Sequence, residues 1–139
     1  MSLTLKPLIY LIVTYRFFIK TFEDYITKLT NYWYPGTLNS PHIICFSEHH
    51  LRNDQLHHLY INKYKLVANC CRSFHKRGGV CIFIQEFFSY STIDLNEFCH
   101  ECIIEACAMK LDSHSLNVCV LVIYRSLSGD FVQFLHLLD

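Results

Sequence analysis

Hydrophobic and polar positions fall into short blocks along the chain, and the period changes from one block to the next. Residues 8–15 (LIYLIVTY) are a continuous apolar run of strand type. Phe18, Phe22, Tyr25, Ile26 and Leu29 then recur at intervals of three and four among Lys20, Glu23, Asp24 and Lys28, which predicts an amphipathic helix over residues 17–29. Asn, Pro, Gly and Ser gathered in residues 31–41 end it. Residues 43–47 (IICFS) predict a buried strand, 53–59 one or two helical turns, and 64–69 and 80–84 two more strands around a polar loop at 70–79. Residues 101–111 and 116–124 are β-rich runs joined by Asp112-Ser113-His114-Ser115, the pattern of a hairpin. After a turn at 126–130, Phe131, Phe134, Leu135 and Leu138 stand at helical spacing, so a second helix is expected there. Both helices are expected to be core elements. The second reaches the last residue without a Gly or Asn stop signal, and the chain reads as cut rather than finished. Neither an internal repeat nor a low-complexity tract interrupts this pattern.

At 139 residues the chain has room for one domain with one core. A hydrophobic fraction of 52% against 17% charged residues, with mean hydropathy +0.21, excludes disorder as a description of the whole. Twelve Lys and Arg balance twelve Asp and Glu, so no global field draws polyanions and any nucleic-acid contact has to be local. The apolar run at 8–15 is far shorter than the about 20 residues of a spanning helix. Tyr15-Arg16-Phe17-Phe18 offers no small-residue cleavage site. The expectation is a chain with no membrane partner that is intracellular, nuclear or cytoplasmic. Its eight cysteines are then thiols, several of them packing as small hydrophobes on strands.

Three segments carry candidate chemistry. Ile43-Ile44-Cys45-Phe46-Ser47-Glu48-His49-His50-Leu51 ends a strand in a carboxylate, and Arg77-Gly78-Gly79-Val80-Cys81-Ile82-Phe83 turns on two glycines into an apolar strand. Val122-Ile123-Tyr124-Arg125-Ser126-Leu127-Ser128-Gly129-Asp130-Phe131 ends a strand in a tyrosine and an arginine before a turn. In this order the three resemble the endonuclease/exonuclease/phosphatase superfamily, most of all the apurinic-type endonuclease domain that precedes the reverse transcriptase in non-LTR retrotransposons. The resemblance covers residues 41–139.

That resemblance implies an α/β (α+β) fold, an incomplete four-layer αββα sandwich with mixed and antiparallel sheets. It also implies Mg²⁺-dependent hydrolysis of a phosphodiester, with DNA nicking as the ancestral reaction. Glu48 matches the catalytic, metal-binding glutamate and Tyr124 the active-site tyrosine at a strand end. Arg125 follows the tyrosine in the retroelement version, and with Arg77 and Lys76 it is a candidate for phosphate or DNA contact. Gly78 and Gly79 match the turn into a core strand, Glu105 an acidic residue of structural type, and Ser128, Gly129 and Asp130 the turn after the tyrosine. The departures are as informative. Residues 8–15 lack the asparagine that the family places in its metal site, Leu127 replaces a usual proline, and Asp139 ends the chain before the Asp-x-Asn and Asp-His motifs. Members of one catalytic unit are strongly non-additive, so little or no activity is expected.

Other readings stand beside this one. Taken alone, Glu48 is a solvated carboxylate, Tyr124 a strand-end aromatic with its hydroxyl in water, and the loop from Arg72 to Arg77 a solvated turn. His49 and His50 point opposite ways on an extended chain, so at most one serves a site. Cys99-His100-Glu101-Cys102 contains a C-x-x-C that Cys70, Cys71 or His114 would have to complete as a zinc site, without a second C-x-x-C. A thioredoxin-like role fails for want of a strand-to-helix start. A non-catalytic module would instead use an exposed sheet edge to join a partner or a second copy.

Overall fold

The computed structural model describes residues 9–11, 41–75, 77–112, 118–126 and 128–139. Its elements are β1 (Ile9–Leu11), β2 (Ile43–Ser47), α1 (Asn53–His58), β3 (Tyr64–Cys70), β4 (Val80–Gln85), β5 (Tyr90–Ile93), a 3₁₀ turn (Asn96–Phe98), β6 (Ile104–Leu111), β7 (Val118–Arg125) and α2 (Phe131–Leu138). One sheet has the order β1-β7-β6-β5 and the other β2-β4-β3. Among the described residues only the β1–β7 pairing is parallel. The expected α+β class, with mixed and antiparallel sheets, is what the described residues form. The helix expected over 17–29 and the hairpin turn at 113–115 lie outside them. No described helix is long and apolar enough to cross a membrane.

Alternation along the strands explains the layering. Val80, Ile82 and Ile84 of β4 face Cys107 and Met109 of β6 and Val120 and Val122 of β7, forming the core between the sheets. Cys81 and Phe83 point the other way and pack with Phe46, Tyr64 and Leu56 of α1. β4 is therefore buried on both faces, which is why it reads as an unbroken apolar run rather than an alternating one. Leu56 is 0% exposed and anchors α1. The side chain of Gln55 accepts the Arg52 N–H at 2.9 Å and stops fraying at the helix start.

Two sequence expectations are corrected, and one strand is added that the sequence did not announce. β6 begins at Ile104, not at residue 101, because His100 and Ile104 bond to each other through their backbones and fold residues 100–103 into a turn. β5 gave no sequence signal, since it is short and three of its four residues are exposed. α2 spans the expected residues, and Asp130 caps it by accepting from Val132 N at 2.8 Å and Gln133 N at 3.1 Å. It is nevertheless not a core helix. None of its residues is buried, and Phe131 is 55% exposed. Periodicity alone identifies an apolar face, not what covers it.

The same alternation that sends Cys107 and Met109 between the sheets sends Glu105 there too, at the open end of the core. Its carboxylate is 2% exposed and takes a hydrogen-bonded ion pair from Arg72, just after β3, and the N–H of Gly79, just before β4. One side chain of the first sheet thus binds two segments of the second. Removing one partner of a buried pair leaves a desolvated charge, so Glu105→Ala is expected to lower unfolding free energy by about 3–5 kcal/mol. Replacing the pair by Glu105→Leu with Arg72→Met should recover much of that loss, and urea unfolding of the two variants checks both outcomes.

Candidate functional site

Glu48 follows the last residue of β2 and has φ 56°, and His50 has φ 60°, so the chain turns sharply as it leaves the sheet. Left-handed backbone at two non-glycine residues is uncommon and needs external support. The support is the glycine turn. His50 N donates to Gly78 O at 2.9 Å, and Gly78 N donates to His50 Nδ1 at 3.0 Å. Gly78 and Gly79 have φ +83° and +91°. A Cβ on Gly78 would overlap the Arg72 guanidinium, and one on Gly79 would overlap the His49 imidazole, so both positions require glycine for conformation and for space.

His49 and His50 do diverge. His49 is 1% exposed under the glycine turn, with Nδ1 accepting from Leu51 N at 3.0 Å and Nε2 3.8 Å from the Cys71 thiol. Burial, helped by the neighbouring His50, pushes its pKa down to about 4 and keeps the ring neutral at physiological pH. His50 is exposed.

Across the sandwich, Tyr124 lies in register with Glu105 on the β6–β7 ladder, and its hydroxyl donates to Oε1 of Glu48. The two residues are 76 positions apart and come from different sheets. Burial first, and then the Glu48 carboxylate, push the Tyr124 phenol up to about 12, so it remains a neutral donor. Tyr124 engages Oε1 alone and Glu48 is only partly buried, which leaves the second oxygen able to meet a hard cation. Glu105 is close by, but its two oxygens are taken by Arg72 and Gly79. The residues present fit a Mg²⁺ held by one carboxylate and water, a mode that this ion uses.

The remaining candidates are distributed around this pair. Arg77 is exposed, with φ 74°, and borders a cavity shared with His50 and Arg72. Arg125 alternates away from Tyr124, and its guanidinium lies 5.1 Å from the Phe131 ring centroid and 6.0 Å from that of Phe134, a cation–π contact with α2. Ser128 shares a 2.9 Å hydroxyl contact with Ser126, and Gly129 passes so close to the Cys102 carbonyl that no Cβ fits. Lys76 lies outside the described residues. All eight cysteines are free. Among the described residues no three His, Cys, Asp or Glu side chains gather as a metal group, and Cys99 turns its thiol to the Ala106 carbonyl at 3.1 Å.

Two residues acquire roles that their spacing did not reveal. Arg72 was visible only as a loop charge, whereas it is the buried partner of Glu105, and its Nη2 has no hydrogen-bond partner among the described residues. Glu101 sat inside the C-x-x-C, whereas its carboxylate gathers the N–H groups of Ser73, Phe74 and His75 together with His75 Nδ1. Burial raises its pKa, but the His75 side chain and these N–H groups outweigh that and hold it down to about 2. No family model, curated protein or solved structure matches the chain.

The buried imidazole has a measurable consequence. A histidine whose folded pKa is about 4 binds its proton more readily when unfolded, where the ordinary value is 6.5, so its stabilising contribution is complete above pH 6.5 and falls as pH drops toward 4. The loss is on the order of 3 kcal/mol by pH 4. Unfolding free energy measured between pH 7 and 4 should show this slope, and His49→Gln should flatten it.

Proposed function

We propose that this chain is part of a retrotransposon-type endonuclease domain of the endonuclease/exonuclease/phosphatase superfamily, acting on DNA phosphodiesters. The observation that supports the reading is the Tyr124 hydroxyl donating to the Glu48 carboxylate, between strand ends of two different sheets. Those are the two residues that the sequence resemblance marks as catalytic. In this reading Glu48 holds Mg²⁺ through its free oxygen, and the ion, when bound, neutralises charge on the phosphate oxygens and acidifies a water. Tyr124, kept protonated, would offer its O–H to a phosphate oxygen in place of Glu48. Arg77 supplies positive charge at the rim. Glu105 does not serve as a second metal ligand, because freeing it would break the bond between the sheets. With one carboxylate in the set, the proposed activity of the chain by itself is weak or nil.

Mn²⁺ titrated into isotopically labelled protein is expected to broaden the resonances of Glu48, Tyr124 and their neighbours, and Glu48→Gln to abolish the effect. Wild-type resonances that stay sharp would remove Glu48 as a ligand and the reading with it. Nicking of supercoiled plasmid in Mg²⁺ is expected to stay at the level seen in EDTA and with Glu48→Ala. Metal-dependent nicking that Glu48→Ala abolishes would overturn the inactivity.

One observation favours a second reading, a non-catalytic binding module. Phe131, Val132, Leu135 and Leu138 leave an apolar face of α2 in water. On that reading the chain self-associates, through this face or a sheet edge. Light scattering after size-exclusion chromatography would then give more than the 16.5 kDa of one chain, and Leu135→Glu would restore the monomer if α2 is the contact.

A further inference from the structure

The loop between β3 and β4 carries an aromatic ring out into water. Phe74 is 91% exposed, yet the backbone beneath it is fixed. Three successive N–H groups, of Ser73, Phe74 and His75, converge on the carboxylate of Glu101, which also holds the His75 ring at 2.8 Å. A loop tied to one carboxylate through four of its groups is preorganised, so a ligand that meets it has less ordering entropy to overcome. The ring is held out, not merely left out.

Beneath the ring lies a cavity of about 370 Å³ whose lining includes Arg52, Arg72, Phe74, His75, Arg77 and His50, with no carboxylate among the lining residues. In a chain whose net charge is zero, Arg52 and Arg77 line this cavity without an ion pair among the described residues and make it locally positive, whereas Arg72 is paired to Glu105 and His75 to Glu101. Arg72 brings a guanidinium whose Nη2 is without a partner among the described residues. The combination of cations around a hollow with one aromatic face at its rim matches a phosphate backbone carrying a base that is free to stack. Paired bases in a duplex hide their faces in the stack, so a single strand fits and a duplex does not. A membrane surface fits less well, since one inserted ring beside a few cations falls short of the combined signals that stable lipid anchoring takes.

We propose that this cavity is a binding site for single-stranded nucleic acid, with Phe74 stacking on an unpaired base, Arg52 and Arg77 on the flanking phosphates, and Glu101 as the residue that positions the ring. The site takes its choice of polymer from the nuclease reading above, but it needs neither Mg²⁺ nor cleavage. It lies beside the Glu48–Tyr124 pair, joined to it through His50 and Arg72.

Fluorescence anisotropy of a labelled 12-nucleotide single strand, in EDTA and over a series of salt concentrations, tests it. Phe74→Ala is expected to weaken binding roughly 5- to 100-fold with no change in salt slope, because stacking releases no counterions. Arg77→Gln should make the slope shallower by about 0.7, the share of one phosphate contact. Glu101→Gln separates two ideas by sign. Removal of a negative charge should tighten binding if attraction alone matters, whereas loss of the clamp should weaken it, and weakening is expected. Phe74→Trp keeps the stack and should show fluorescence quenching on binding, which guards against a misfolded alanine variant. Equal affinity for duplex and single strand, or a Phe74→Ala variant that binds like wild type, would overturn the proposal. So would Phe74-dependent binding to anionic vesicles in place of the oligonucleotide. Loss of the metal site at Glu48 would leave this result standing, and failure here would leave the Glu48–Tyr124 reading untouched.

Discussion

The carboxylate of Glu105 sits where two β-sheets would otherwise part, and it accepts from a guanidinium and a backbone N–H in the loop that joins two strands of the opposite sheet. Apolar packing between β4, β6 and β7 brings the sheets together without specifying how their ends align, because dispersion and burial are nearly indifferent to small slides. A directional, desolvated ion pair is not indifferent. It fixes the start of β6 against the start of β4, and the Arg72 side chain and the glycine turn are set by the same contact. The turn in turn holds His50, and through it the strained backbone of Glu48. The approach of Glu48 to Tyr124 is thus several contacts removed from the pair that makes it possible.

Two glutamates flank one tyrosine, and environment divides their labour. Glu105 is enclosed and fully committed, so its charge is spent on architecture. Glu48 is half-buried and engaged through one oxygen, so it can exchange partners. Tyr124 touches the partly engaged one and stands in register with the fully engaged one. Such an arrangement gives a hydroxyl a precise location while leaving its hydrogen bond replaceable, which is the usual requirement for a group that is to meet a substrate.

Much of this was legible in the residues. Continuous apolar runs marked β2 and β4 because both of their faces are buried, and the Gly78-Gly79 pair marked a turn whose φ angles admit little else. Helical spacing located α2 to the residue, but the surroundings that would make it a core helix are not written in its period. β5 was silent, being four residues long and mostly in water. At the site, Glu48 and Tyr124 were marked by the resemblance of their segments to a known family, since taken alone each reads as an ordinary strand-end side chain. The Arg72–Glu105 pair did not, because its partners are 33 residues apart and only the stacking of the two sheets brings them together. Glu101 was hidden for a different reason. Its role is to accept backbone N–H groups, and backbone groups carry no sequence signature.

The 76-residue separation of Glu48 and Tyr124 also has a meaning in time. At ribosomal speeds, roughly 4–15 seconds pass between the synthesis of the first and of the second. During that interval the β2–β4 and β3–β4 ladders can already close, since their strands are made early and lie near one another in sequence. Glu48 then waits at the rim of a half-built sandwich, and the later strands have to dock before the tyrosine arrives. The meeting of these two side chains is therefore a late event in the birth of the molecule, and it marks a chain whose sheets have both been made and joined.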